Sequence, residues 1–183
     1  MHADLTDRLI ERFRWVDPGP HSDHLVSDTS GWWRDPAILA ALGPALAALF
    51  PDGRPTVVVA PEATGLLIGP LVAVSLGAGF VPAVKAADGR RIAEPTTWAR
   101  TPPDYRGRTL RLGLRDRHLA SGDRVLVVDD WVTTGAQVRA VHDLISARGA
   151  EVIGTASVVA ECSPRVTSTL RIRSLLTADD LPA

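Results

Sequence analysis

Cysteine occurs once in the 183 residues, at Cys162, so the chain can form neither an internal disulfide nor a cysteine-based zinc site. With no partner motif beside it, that thiol reads as a buried structural side chain rather than a nucleophile. Lysine is as scarce: of the 20 Lys and Arg residues, Lys85 is the single lysine. A formal net charge of −1 argues against a protein built to hold nucleic acid, for which a strongly basic face is the usual requirement. No apolar run approaches the roughly 20 residues that cross a bilayer. The first residues carry early acids and no apolar signal-peptide core, which points to a cytoplasmic protein without a membrane partner. Neither a Gly-x-Gly-x-x-Gly fingerprint nor a Gly-Lys-Ser/Thr loop occurs, excluding the common dinucleotide and NTP signatures. His118 and His142 have no spacing suited to a metal or a catalytic triad, and no residue set reads as a protein-built metal site.

What the chain does have is one concentrated stretch, residues 124–137. An apolar, β-branched run, Val125-Leu126-Val127-Val128, ends in Asp129-Asp130 and then in Thr133-Thr134-Gly135, which opens an amphipathic segment. Strand, loop and helix start follow in that order. Unpaired N–H groups and the positive end of the helix dipole favour a phosphate there, and glycine lets the backbone come close. The adjacent carboxylates suit a neutral hydroxyl-bearing group. A sugar phosphate is the ligand these residues imply.

Around that stretch the pattern alternates. Leu5, Leu9, Ile10, Phe13 and Val16 predict an opening helix within residues 1–17, and Asp35-Pro36 starts a second one. Trp32 and Trp33 could stack a planar base, although core packing is the default for such side chains. Strands are predicted at 56–60, 80–84, 109–114, 151–159 and 172–176, with helices at 66–76 and from Val138 to Gly149. Lys85 falls just past the strand at 80–84, where ligands bind in parallel α/β sheets. Residues 86–107 lose periodicity, hold Pro95, Pro102 and Pro103, and carry Arg90, Arg91, Arg100 and Arg106; such a stretch reads as a mobile binding loop, or alternatively as a basic surface hairpin. A single α/β domain over 1–183 with a mostly parallel central sheet flanked by helices is expected.

The stretch Val127-Val128-Asp129-Asp130-Trp131-Val132-Thr133-Thr134-Gly135-Ala136 resembles the phosphoribosyl-pyrophosphate (PRPP) motif of type I phosphoribosyltransferases. Leu25 to Thr29, Arg34-Asp35-Pro36, Glu62-Ala63-Thr64-Gly65 and Gly77 to Lys85 follow the order and spacing of adenine phosphoribosyltransferases and their purine-using relatives. The resemblance implies the type I fold with a small N-terminal hood from residues 1–36, and transfer of ribose 5-phosphate from PRPP to a nitrogenous base such as adenine. It assigns the 5′-phosphate to Thr133, Thr134, Gly135, Ala136 and Gln137, and the ribose hydroxyls to Asp129 and Asp130, which with Lys85 form the catalytic group. It assigns pyrophosphate to Glu62, Ala63, Thr64, Gly65, Arg90 and Arg91, and the base to Val26, Ser27 and Asp28. Mg²⁺ bound mainly through PRPP and a homodimer are also implied. Thr64, Gln137 and Trp131 depart from the usual pattern, which keeps open a noncatalytic PRPP sensor or a transferase for a non-salvage acceptor.

Overall fold

The computed structural model describes residues 2–19, 25–87, 94–104 and 107–182. Helix α1 (His2–Arg12) buries Leu5 and Leu9 and is followed by strand β1 (Arg14–Val16), which pairs antiparallel with β2 (Val26–Asp28). The opening helix is thus shorter than expected, and Val16 belongs to a ribbon instead. Trp15 lies opposite Ser27 in that ribbon. A short helix α2 (Ser30–Arg34) then places Trp32 fully inside, its indole N–H donating to the Leu9 carbonyl at 2.8 Å, so Trp32 is a core residue.

Helix α3 (Pro36–Ala47) starts where expected because Asp35 caps it, its carboxylate accepting the Ala37 N–H at 2.9 Å with Pro36 in the first turn. Strand β3 (Val57–Pro61) is buried along its whole length, and α4 (Gly65–Leu76) follows, ended by Gly77 in the left-handed conformation at φ 63°. Strand β4 (Gly79–Lys85) takes Lys85 as its last residue. Strands β5 (Thr96–Arg100) and β6 (Arg111–Arg115) are antiparallel to one another, and β6 is antiparallel to β4.

The stretch expected as a mobile loop, or alternatively as a surface hairpin, therefore holds a strand, β5, paired antiparallel with β6. Its cause is a cross-strand fit: Trp98 pairs with Gly113, and a Cβ on Gly113 would lie 2.7 Å from the Trp98 ring. An aromatic ring covering a strand glycine stabilises a pairing that flanking prolines hide from periodicity.

Strand β7 (Arg124–Val132), helix α5 (Ala136–Ala147), strand β8 (Glu151–Ala160), helix α6 (Pro164–Thr169) and strand β9 (Ile172–Thr177) complete the chain. The seven-stranded sheet runs β5-β6-β4-β3-β7-β8-β9, parallel from β4 through β9. Alternation along β7 divides the interior. Leu126 and Val128 pack with α1, α3 and α4 through Leu9, Leu42 and Ile68, while Val125 and Val127 pack with α5 through Val141 and Leu144. Both faces of the sheet are covered, which leaves the carboxyl ends of the parallel strands as the open edge.

Candidate active site

The carboxyl ends of β3, β4, β7 and β8 meet at that edge. Gly135 turns the chain from β7 into α5 at φ 71°, a conformation costly for other residues, and a Cβ there would come within 2.7 Å of Leu170. The Thr134 hydroxyl accepts the Ala136 N–H at 3.3 Å, and the first α5 hydrogen bond runs from Arg139 N–H to the Gly135 carbonyl at 2.8 Å. The result is a tight loop whose remaining N–H groups open toward the edge.

On one side of the loop lies a cleft of about 140 Å³ lined by Lys85, Asp104, Arg108, Asp129 and residues 131–138. Asp129 is buried, and its Oδ1 accepts the Asp130 N–H at 3.0 Å. Burial above all, then the neighbouring charge of Asp130, pushes the Asp129 carboxyl well above the usual range, with Lys85 offsetting part of the effect. Burial also raises Asp130, opposed by hydrogen bonds from Asp129, from the Asp130 and Trp131 backbone and from Thr64. The two acids titrate as a pair. Sugar hydroxyls or a cation would favour their ionised form.

Opposite the pair is the turn after β3. The Glu62 N–H donates to the Ala83 carbonyl at 2.9 Å, and the Glu62 carboxylate accepts the Lys85 N–H at 2.7 Å. The Glu62–Ala63 peptide bond is cis. Gly65 keeps α4 close to the pair, since a Cβ there would sit 3.4 Å from the Asp129 carboxylate. Residues 62–65, Lys85, Asp129 and Asp130, which the resemblance groups around one ligand, thus lie together at this edge.

On the other side of the loop is a larger cavity of about 600 Å³. Its walls are Trp15, Leu25, Val26 and Ser27 of the hood, Trp131, Glu161, and again Thr133, Thr134 and Gln137. Val26 and Ser27, which the resemblance assigns to the base, line this cavity. Asp28 is instead committed to the turn into α2, its carboxylate accepting the Ser30 N–H at 2.8 Å. Arg90 and Arg91 lie outside the described residues. Trp15, Glu161 and Arg108 were not singled out from sequence as site residues. Trp15 was hidden by its apparent membership of the opening helix, and Arg108 falls one residue beyond the expected loop.

A buried Asp129 beside a half-buried Asp130, a tight loop at a helix start and a cavity under a small hood thus meet at the carboxyl edge of a mostly parallel α/β sheet. Residues 34–174 match the phosphoribosyl transferase domain family. The chain belongs to that family, and its fold is that of the type I phosphoribosyltransferases. Adenine phosphoribosyltransferase of Streptomyces coelicolor is 36% identical over 152 residues, covering 83% of this chain and 81% of the relative. The Yersinia enterocolitica enzyme of the same name is 34% identical over 82% of this chain and 78% of its own length. A crystal structure of adenine phosphoribosyltransferase from Thermoanaerobacter pseudethanolicus superposes with a TM-score of 0.82 at 25% identity, covering 94% of this chain and 99% of the other.

Proposed function

We propose that the protein transfers ribose 5-phosphate from PRPP to a ring nitrogen of a purine, adenine first, and releases pyrophosphate. One observation carries the reading: Thr133, Thr134 and Gln137 line both the acid-pair cleft and the hood cavity, so a phosphate on the loop sits between a ribose site and an acceptor site. The adenine preference is supported by the relatives' shared activity. In the reaction the bond from C1′ to the pyrophosphate oxygen breaks and the bond from C1′ to the base nitrogen forms. The protein's task is to hold the two in line and to neutralise charge on the leaving group.

The loop holds the 5′-phosphate, Asp129 and Asp130 hold the ribose hydroxyls, and Lys85 with the 62–65 turn faces the pyrophosphate. Positive charge that builds on the ribose ring lies near the acid pair, which favours it. Water reaching the ribose would compete with the base, so covering the site during transfer favours the reaction. Among the described residues no group of three or more His, Cys, Asp or Glu forms a metal cluster. The Asp129–Asp130 oxygens suit Mg²⁺, which keeps most of its water and substrate ligands and takes one or two carboxylates. When bound with PRPP, the ion would neutralise pyrophosphate charge. The exposed apolar residues Leu67 and Val74 on α4 support a homodimer.

Incubation with PRPP, Mg²⁺ and a panel of purine and pyrimidine bases, followed by pyrophosphate release, tests the proposal. Release with adenine ahead of oxopurines is expected. PRPP binding with no release on any base would replace the transferase with a sensor.

A further inference from the structure

Among the described residues, the hood cavity has one acidic side chain in its wall, Glu161, and its position is fixed from two directions. Glu161 directly follows β8, and its N–H donates to the Val132 carbonyl at 2.8 Å, tying it to the end of β7. Its Oε2 accepts the Trp131 indole N–H at 3.2 Å. Trp131 is itself wedged among aromatic rings, 5.7 Å from Phe13 and 5.8 Å from Trp15 between centroids. The indole is therefore held by the hood, and it holds the carboxylate. Glu161 is exposed within the open wall of the cavity rather than sealed in the core.

We propose that Glu161 is a specificity-determining residue for the acceptor and that Trp131 is its positioning residue; this rests on the transferase reading above. A carboxylate has about four lone-pair sites and accepts only. One indole N–H leaves capacity for an N–H or amino group of a base, and none for a carbonyl edge or a negative charge. The acceptor class selected is a planar heteroaromatic base that presents a hydrogen-bond donor to this wall. An oxo group at the same place would meet a carboxylate with no proton to offer, and a site built to bond a donor discriminates strongly against an analogue lacking it. Of the other wall residues, Trp15, Leu25, Val26 and Trp131 are apolar or aromatic, Thr133, Thr134 and Gln137 belong to the loop before α5, and the Ser27 hydroxyl, which can donate or accept, tolerates either base. Discrimination therefore concentrates on Glu161.

The test uses the full chain with saturating PRPP and Mg²⁺, and compares kcat/KM for adenine and hypoxanthine in wild type, Glu161→Gln, Glu161→Asp and Trp131→Phe. The Gln amide can accept or donate, so Glu161→Gln is expected to narrow the adenine-to-hypoxanthine ratio by roughly 10- to 100-fold, the range of a charge-assisted hydrogen bond, chiefly through KM. Glu161→Asp keeps the charge and should recover part of the ratio. Trp131→Phe keeps the ring and removes the indole N–H, and should narrow the ratio in the same direction by a smaller factor. The PRPP dissociation constant, measured by calorimetry on each variant, reports that the donor half is intact. A wild-type enzyme that turns over adenine with a ratio unmoved in Glu161→Gln overturns this proposal alone. A wild type that releases no pyrophosphate with any base overturns the transferase reading and this proposal together.

Discussion

Asp129 and Asp130 are adjacent acids held where burial opposes their charge, so their presence costs the empty protein stability. Asp130→Asn is therefore expected to weaken PRPP binding at least ~10-fold, the loss of one charged hydrogen-bond acceptor, without lowering the melting temperature. Calorimetry and a thermal melt on the same sample check both halves. A second residue, His142, stands away from the site. Its Nε2–H donates to Thr155 Oγ1 at 2.9 Å while the Thr155 hydroxyl donates to the Leu170 carbonyl at 3.2 Å. Burial, with Arg171 and Arg139 nearby, lowers its pKa to about 4. Between pH 6.5 and 4 the unfolded chain takes up a proton that the folded protein refuses, so this residue removes stability as pH falls, up to roughly 3 kcal/mol. Asp129 acts oppositely: its raised folded pKa means the folded state binds the extra proton, and its contribution to stability rises as pH falls from neutral. Urea midpoints from pH 7 to 4 should therefore fall more steeply in Asp129→Asn than in wild type, and should fall less or even rise in His142→Gln.

Among the elements, β7, its loop and α5 were legible in the sequence because everything that makes them is local. A β-branched run, two acids, a glycine that must adopt positive φ and a helical apolar face all lie within 24 consecutive residues, Arg124–Ala147. The parallel order of the sheet followed from alternation of strands and helices. Three-residue β1 and β2 were not legible, since strands so short exist only through their partner. Strand β5 was missed because its stability comes from Trp98 lying on Gly113, 15 residues away. Glu161 and Trp131 meet across 30 residues, and no spacing rule announces that contact. Helix α4 shows the same limit. Its sequence is apolar all round, which says it is buried without saying where it is tight, and Gly69 turns out to be the tight point: a Cβ there would lie 2.3 Å from the Phe80 ring. Gly69→Ala should destabilise the protein by about 1–3 kcal/mol through overpacking, despite the better helix propensity of alanine. Urea unfolding at neutral pH measures it, and an unchanged or higher midpoint would contradict the packing described.

For the whole molecule, α4 also presents Val74 at 83% and Leu67 at 52% exposure on a helix with no charged residue. If the proposed homodimer forms through this face, Val74→Glu converts it to a monomer in sedimentation velocity while leaving the fold intact by circular dichroism; a wild type that sediments as a monomer, or a variant of unchanged mass, would overturn a dimer on α4. A long-range tie closes the hood, where the Trp15 indole N–H donates to the Pro182 carbonyl at 2.9 Å and Leu181 is buried in the same core. These partners are 167 residues apart. At roughly 5–20 residues per second of synthesis, about 10–30 s separate the making of the Trp15 wall from the making of the residue that anchors it. On the ribosome, then, the Trp15 wall of the hood cavity waits for almost the whole chain to be made before its indole finds the carbonyl that fastens it.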